Sequence, residues 1–256
     1  LYSSAASDVY KRQSYNNVVD ALSAWSCCAE FEDPTVCIVK HTNPCGVASA
    51  DDLQKAYDKA FSTDPTSAFG GVIALNKTAT ENVIKKIMDN QFIEVLVAPD
   101  FDKAAKKILE AKPNIRVLKA QIMSPVTKEL KSFSGAYLSQ EVDNIDFSKI
   151  KLKTVSQEKP DKTDLRDMIF ALKVAKHVKS NAIVIAKDQM TLGIGAGQMS
   201  RVDSTKIALL KSNKKFKEKG FVAASDAFFP FNDSVKLLIN NNCKSIVQPM
   251  GSINDN

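Results

Sequence analysis

Histidine is scarce: only His41 and His177 occur in 256 residues, so imidazole chemistry near neutral pH has two places to come from. The five cysteines (Cys27, Cys28, Cys37, Cys45, Cys243) form no C-x-x-C pair and no spacing typical of zinc ligands. Their odd number, with no secretory signal, reads as a reduced thiol set in a cytoplasmic protein. No apolar run approaches the ~20 residues of a membrane helix. A long basic block and a basic–aromatic platform are also missing. The net charge of +6 is spread out, with Lys-Lys pairs at 85–86, 106–107 and 214–215. That pattern argues against nucleic acid and suits attraction to small anions such as phosphates and carboxylates.

A starting methionine is absent too. Leu1 to Gln13 carries no clear amphipathic period and reads as a leader unrelated to the rest of the chain. The sequence stops soon after a turn-like Pro249-Met250-Gly251, where a further element is expected. The chain therefore reads as cut short at both ends.

What is present is alternation. Short apolar runs rich in β-branched residues alternate with helical periodicities, which predicts an α/β fold. Helices are expected over Val19–Phe31, Asp51–Phe61, Thr80–Met88, Lys103–Ala111, Asp164–Val178, Ser204–Leu210 and Ser234–Asn240. Strands are expected over Thr35–Val39, Val72–Leu75, Val95–Ala98, Ala182–Ala186, Met190–Ile194, Phe221–Ala224 and Ser245–Val247. A polar, irregular stretch over 143–161 divides the series into two subdomains, 14–150 and 151–256. No sequence repeat is visible, yet the two halves share a similar order of elements.

Four strand-end loops carry candidate chemistry. Lys40-His41-Thr42-Asn43-Pro44-Cys45-Gly46 sets a cation and an imidazole after a buried strand, where Asn-Pro and Gly favour a turn. The imidazole suits a general base and the ammonium a developing oxyanion; the plain alternative is a polar turn. Thr63 to Gly71 (TDPTSAFGG) offers hydroxyls and paired glycines whose N–H groups suit an anion, or is an ordinary Pro/Gly loop. Gly193 to Arg201 (GIGAGQMSR) lacks the spacing and acidic partner of a dinucleotide loop, but its arginine suits a phosphate or carboxylate. Ser225 to Asp233 (SDAFFPFND) brackets a proline with phenylalanines that suit a flat heterocycle or pack into the core. His177, near a helix end, reads as structural. Asn181, before a strand, is a ligand candidate because its amide both donates and accepts.

Together and in this order, KHTNPCG (40–46), TDPTSAFGG (63–71), VAKHVKSNAIV (174–184), GIGAGQMSRVDS (193–204), SDAFFPF (225–231) and PMGSI (249–253) resemble one family. It is the formyltransferase region of the bifunctional AICAR transformylase/IMP cyclohydrolases of purine biosynthesis, where AICAR is aminoimidazole-carboxamide ribonucleotide. The resemblance covers Ser14 to the last residue. It implies two cytidine-deaminase-like subdomains without catalytic zinc, in a homodimer with sites between subunits. It implies transfer of a formyl group from 10-formyltetrahydrofolate, the cosubstrate, to the 5-amino group of AICAR. By similarity His41 is the general base and Lys40 stabilises the formyl oxygen or assists the leaving folate nitrogen. Asn43, Gly70, Glu94, Asn181, Arg201 and Phe228 match the AICAR side; Val202, Asp233, Ser252 and Ile253 match the folate side. No catalytic metal is implied, and a structural monovalent cation is left open. The family's upstream Arg-Tyr-Gly-x-Asn-Pro-His-Gln segment, its C-terminal stretch and its cyclohydrolase domain are not in this sequence. A catalytically incompetent nucleotide- or folate-binding fragment is therefore the alternative. A zinc deaminase of similar fold is disfavoured, because the H-x-E and P-C-x-x-C signature is missing.

Overall fold

The structure, a computed structural model, describes residues 15–120, 127–147, 149–213 and 220–252. The leader at 1–13, the Lys214-Lys215 pair and Ile253 lie outside the described residues. The chain forms two compact units, Gln121–Lys159 and all the rest.

In the larger unit the elements are α1 (Tyr15–Cys28), β1 (Thr35–Lys40), β2 (Asn43–Ser49), α2 (Leu53–Thr63), the short α3 (Pro65–Ala68), β3 (Gly71–Leu75), α4 (Glu81–Asn90), β4 (Ile93–Ala98), α5 (Lys103–Glu110) and β5 (Arg116–Lys119). After the smaller unit, which holds β6 (Lys128–Phe133) and β7 (Ala136–Glu141), come α6 (Lys162–Lys176), β8 (Ile183–Lys187), β9 (Met190–Gly195), α7 (Arg201–Asn213), β10 (Phe221–Ser225), α8 (Asp233–Ile239) and β11 (Cys243–Val247). The fold is a mixed α/β one, with a nine-stranded sheet in the order β11-β10-β8-β9-β2-β1-β3-β4-β5.

The continuous apolar runs of the central strands follow from burial of both sheet faces. Successive residues alternate between two cores: Val36, Ile38, Ile183 and Ile185 face one, and Cys37, Val39, Val184 and Ala186 the other. The first core is completed by α2, α4, α5, α7 and α8, for example through Tyr57, Ile84, Leu109, Ala208 and Leu238. The second is covered by Ala24 and Cys28 of α1 and by Phe170 and Val174 of α6. Aspartates start several helices: Asp52, Asp102 and Asp161 each accept the N–H three residues on, at 2.8, 2.7 and 2.8 Å.

The same order of elements runs twice. The series α1-β1-β2-α2-β3-α4-β4 matches α6-β8-β9-α7-β10-α8-β11, and the registers agree in detail. The hairpin β1/β2 shifts register after Ile38, and β8/β9 shifts after Ile185, the equivalent residue. β1 pairs antiparallel with β3 as β8 does with β10. The parallel pairs β3/β4 and β10/β11 slip at the same place, after Gly71 and Phe221. Gly46 and Gly193 let α2 and α7 pack close, since a Cβ on either would lie 2.0 or 2.1 Å from the carbonyl oxygen of Ala60 or Ala208. The halves meet where β2 pairs antiparallel with β9, Ala48 opposite Met190, as a local two-fold relation requires.

Several features depart from the expectations. The chain turns not at Asn43-Pro44 but at His41-Thr42, whose φ angles of 54° and 61° are those of a type I′ hairpin. Asn43-Pro44 then begins β2, where the missing N–H of Pro44 falls beside the register shift. The TDPTSA stretch forms the short helix α3 rather than an open loop. The helix expected from Ser204 begins at Arg201. In the smaller unit the hairpin β6/β7 turns at Gly135, with φ of 77°. Its strand residues are all exposed, so no buried face imposes the alternation that would betray it in the sequence.

Candidate functional site

Strand directions gather the candidate residues at one end of the sheet. β1 ends there at Lys40, and its antiparallel neighbour β3 starts there, with β4 parallel to β3. β9 runs against β2, so its Gly195 end arrives at the same place. β8 then starts there, while β10 and β11 end there. Lys40 to Asn43, Gly70, Glu94, Asn181, the 196–201 loop, Asp226 to Phe228 and Ser252 thus all border one end of the sheet. The opposite end carries Asn76 and the Asp188-Gln189 turn.

On the first half, Lys40 Nζ donates to the Phe69 carbonyl at 2.6 Å, and Gly70 N–H donates to the Phe92 carbonyl at 2.9 Å. Glu94 follows two residues later on β4, half-buried. His41 is exposed at the hairpin tip, and the turn is braced by Asp20 of α1, which accepts Thr42 N–H at 2.6 Å. Asn43 ties this tip to the second half: its Oδ1 accepts Lys179 N–H at 3.0 Å. The anion role expected of the 63–71 loop is already filled from within. Asp64 accepts Ser67 N–H at 3.1 Å and Ser67 Oγ–H at 2.6 Å, and pairs with Lys211 at 2.7 Å.

On the second half, Asn181, Arg201 and Asp226 form one polar network. Arg201 Nη1 donates to Asp226 Oδ1 and, at 2.8 Å, to Ser225 Oγ; its Nη2 donates to Asn181 Oδ1 at 2.7 Å. Asn181 Nδ2 in turn donates to the carbonyls of Gln198 and Met199 at 2.8 and 3.1 Å, which sets the orientation of its amide. Asp226 also accepts the Ala182 N–H at 3.0 Å and the Ser180 hydroxyl. Burial pushes the Asp226 carboxyl up, but the Ser180 and Arg201 hydrogen bonds outweigh it and hold it below the usual carboxylate range. Ser180, Ser225 and Asp226 lie inside motifs that the sequence singles out, but no individual role was expected of them there.

The glycines before this network serve packing more than phosphate. Gly193 and Gly195 lie within β9, and a Cβ on Gly195 would sit 1.9 Å from the Ser204 carbonyl oxygen. Gly197, with φ of 67°, makes the turn and donates its N–H to the Lys179 carbonyl at 2.7 Å. Of the phenylalanines, Phe229 joins the core, Phe228 is half-buried and Phe231 is exposed. A Cβ on Gly251, the residue before Ser252, would lie 3.7 Å from the Phe228 ring. Val202 stands on the first turn of α7, half-buried, and Asp233 opens α8, exposed, its carboxylate accepting Ser234 N–H at 2.6 Å.

His177 caps α6 and pairs with Glu30 at 3.0 Å, beside Lys176 at 2.7 Å from the same oxygen. Glu30 and His177 occupy equivalent positions in the two halves, so this cluster joins the halves on the α1/α6 face. All five cysteines are free thiols, and burial pushes Cys45 and Cys243 up to about 12. Among the described residues no group of three His, Cys, Asp or Glu side chains is placed to hold a metal ion, and no helix is long and apolar enough to cross a membrane.

Comparison with known proteins supplies the family. The family described as the AICARFT/IMPCHase bienzyme matches residues 4–211, a span that begins inside the leader-like stretch Leu1 to Gln13. The bifunctional purine biosynthesis proteins PurH of Xanthomonas axonopodis pv. citri and Neisseria gonorrhoeae are each 47% identical over 247 residues, and that of Xylella fastidiosa over 248. Each alignment covers 96% of this chain and 47% of the relative, so the chain spans about half the length of the curated relatives it matches. Matched over most of its length and nearly half identical to curated members, the chain belongs to the AICARFT/IMPCHase bienzyme family of purine biosynthesis.

Proposed function

We propose that the chain is the formyl-transfer part of its family's bienzyme. It moves the formyl group of 10-formyltetrahydrofolate to the 5-amino group of AICAR, in the cytoplasm. The observation that carries this reading is the Lys40-His41 pair at an exposed hairpin tip, at the same sheet end as the Asn181–Arg201–Asp226 network. A base and a cation stand together there, next to rigid polar groups suited to holding a heteroaromatic substrate.

In the proposed step the amine nitrogen attacks the formyl carbon, and His41 takes the proton that the amine loses. Lys40 stabilises the negative charge on the formyl oxygen. The bond from carbon to the folate nitrogen then breaks, and that nitrogen is protonated, releasing tetrahydrofolate. Asn43, Gly70, Glu94, Asn181, Arg201 and Phe228 line the AICAR side; Val202, Asp233, Ser252 and Ile253 line the folate side. The two halves are cytidine-deaminase-like subdomains in which no zinc takes part. The working form is a homodimer with sites between subunits, a structural monovalent cation is left open, and ring closure belongs to the separate cyclohydrolase part.

The test monitors tetrahydrofolate release by the full-length protein containing this chain, supplied with AICAR and 10-formyltetrahydrofolate. Turnover should fall by about a thousandfold or more in His41→Ala, the scale of a lost general base. A folded protein that binds AICAR without turnover would leave a binding module in place of an enzyme. Stoichiometric zinc in the purified protein would instead revive the deaminase reading.

A further inference from the structure

We infer that Asp226 is a positioning residue of this site, acting through Arg201: it sets the guanidinium, and through it the Asn181 amide, in the geometry that meets the substrate. The inference rests on the proposed AICAR site, and the internal repeat provides its argument.

Asn76 is the equivalent of Asp226 in the first half. Both stand just after the equivalent strands β3 and β10. Asn76 Oδ1 accepts the N–H of Thr35 at 2.7 Å, as Asp226 Oδ1 accepts the N–H of Ala182 at 3.0 Å. Thr35 and Ala182 are themselves equivalent, so anchoring the start of the first hairpin strand requires only an acceptor, and a neutral amide supplies it. The negative charge at 226 is therefore surplus to that task. Arg201 uses it, and the equivalent of Arg201 at the start of α2 is the apolar Leu53, buried in the core.

The network leaves Arg201 little freedom. Its side chain is 10% exposed and that of Asp226 17%. The two Nη groups reach three acceptors: Asp226, Ser225 and Asn181. Ser225 is fixed in turn, because its hydroxyl donates to the Ala227 carbonyl at 2.6 Å. A charge-assisted pair of this kind sets geometry as well as energy, and a side chain held in advance loses less entropy on binding.

The test is a double-mutant cycle in the full-length protein, with AICAR affinity measured by calorimetry and Arg201 observed by arginine-selective ¹⁵N NMR without ligand. Asp226→Asn keeps the acceptor for Ala182 N–H. It should weaken AICAR binding about tenfold, the scale of one charge-assisted hydrogen bond, and should add nothing in an Arg201→Ala background. The Arg201 guanidinium signals, sharp in the wild type, should broaden in Asp226→Asn. Asp226→Glu should restore part of both effects. Unchanged affinity, or an equal loss with and without Arg201, would overturn the inference. If the wild type binds no AICAR at all, the proposed function fails, and the Arg201 signals alone decide the positioning role: unaltered signals in Asp226→Asn overturn it.

Discussion

Asn76 and Asp226 hold the same place in the two halves and accept the same strand-start N–H through Oδ1, yet the bonds of the other side-chain atom run in opposite directions. Asn76 Nδ2 donates to the carbonyls of Phe31 and Asp33 at 2.7 and 2.8 Å. The corresponding oxygen of Asp226 accepts from the Ser180 hydroxyl, while its partner oxygen accepts from Arg201. One end of the sheet is thus closed by a neutral, self-satisfied junction, and the other holds an ion pair near the surface. The hairpin tips differ in the same way. Both are braced by an aspartate from the preceding helix: Asp20 holds Thr42, and Asp167 accepts the N–H groups of Asp188 and Gln189 at 2.8 Å each. Both begin with a lysine tied to the chain just ahead of β3 or β10, Lys40 to the Phe69 carbonyl and Lys187 to that of Gly220 at 2.9 Å. Only the first tip carries an imidazole. The repeat supplies the scaffold twice, and polar differences at a handful of positions set its two ends apart.

The largest test of that comparison concerns the glycines. Gly46→Ala and Gly193→Ala should destabilise alike, by about 3 kcal/mol or more in chemical denaturation, because a backbone carbonyl has no room to yield. Gly195→Ala should cost as much, although its counterpart is Ala48; a mild effect there would show that the halves tolerate the same helix spacing after all.

The Glu30–Lys176–His177 cluster joins the halves, and Glu30→Gln should cost about 3 kcal/mol by removing the half-buried carboxylate that pairs with both Lys176 and His177. Its pH dependence has two signs. Burial pulls the His177 imidazole down, but the Glu30 hydrogen bond and nearby negative charge outweigh it and raise it above its ordinary value. That contribution is complete below the ordinary imidazole value and is lost as pH rises through the raised one. Glu30 is pushed up by burial, yet its His177 and Lys176 bonds hold it below the usual carboxylate range. Its contribution is complete above that range and fades as pH falls through the lowered value. Stability measured by denaturant midpoint should peak on the mildly acidic side of neutrality, and His177→Gln should remove the alkaline decline.

A smaller effect separates the two junctions. Asn76→Asp replaces the amide nitrogen that donates to two carbonyls with a carboxylate oxygen facing them, and should cost about 2 kcal/mol of stability with AICAR binding unchanged. Asp226→Asn should do the reverse, changing binding more than stability. The smallest effect is expected at the tip: Asp20→Ala should cost about 1 kcal/mol, with Asp167→Ala costing more because it releases two N–H groups.

Much of this was legible in the residues. Strands such as Thr35–Lys40 and Ile183–Lys187 announce themselves because burial on both faces demands unbroken apolar runs. The exposed hairpin β6/β7 and the edge strand β5, with its alternating half-buried residues, lack that pressure and left no comparable mark. His41 and Lys40 stood out by type and by their place after a buried strand. Asp226 did not, because an aspartate in a loop has the same local signature whether it caps, solvates or grips an arginine.

The sequence by itself determined the alternation of elements, the free thiols' lack of ligand spacing, and the set of side chains able to do acid–base and polar binding work, since periodicity and residue type are local properties. The tertiary structure alone decided that two halves repeat in register, that strand directions gather distant loops at one sheet end, and that equivalent positions 76 and 226 share one accepted bond but differ in the polarity of the other side-chain atom. Those depend on which backbone groups meet across the sheet, and a chain read in one dimension does not carry that pairing.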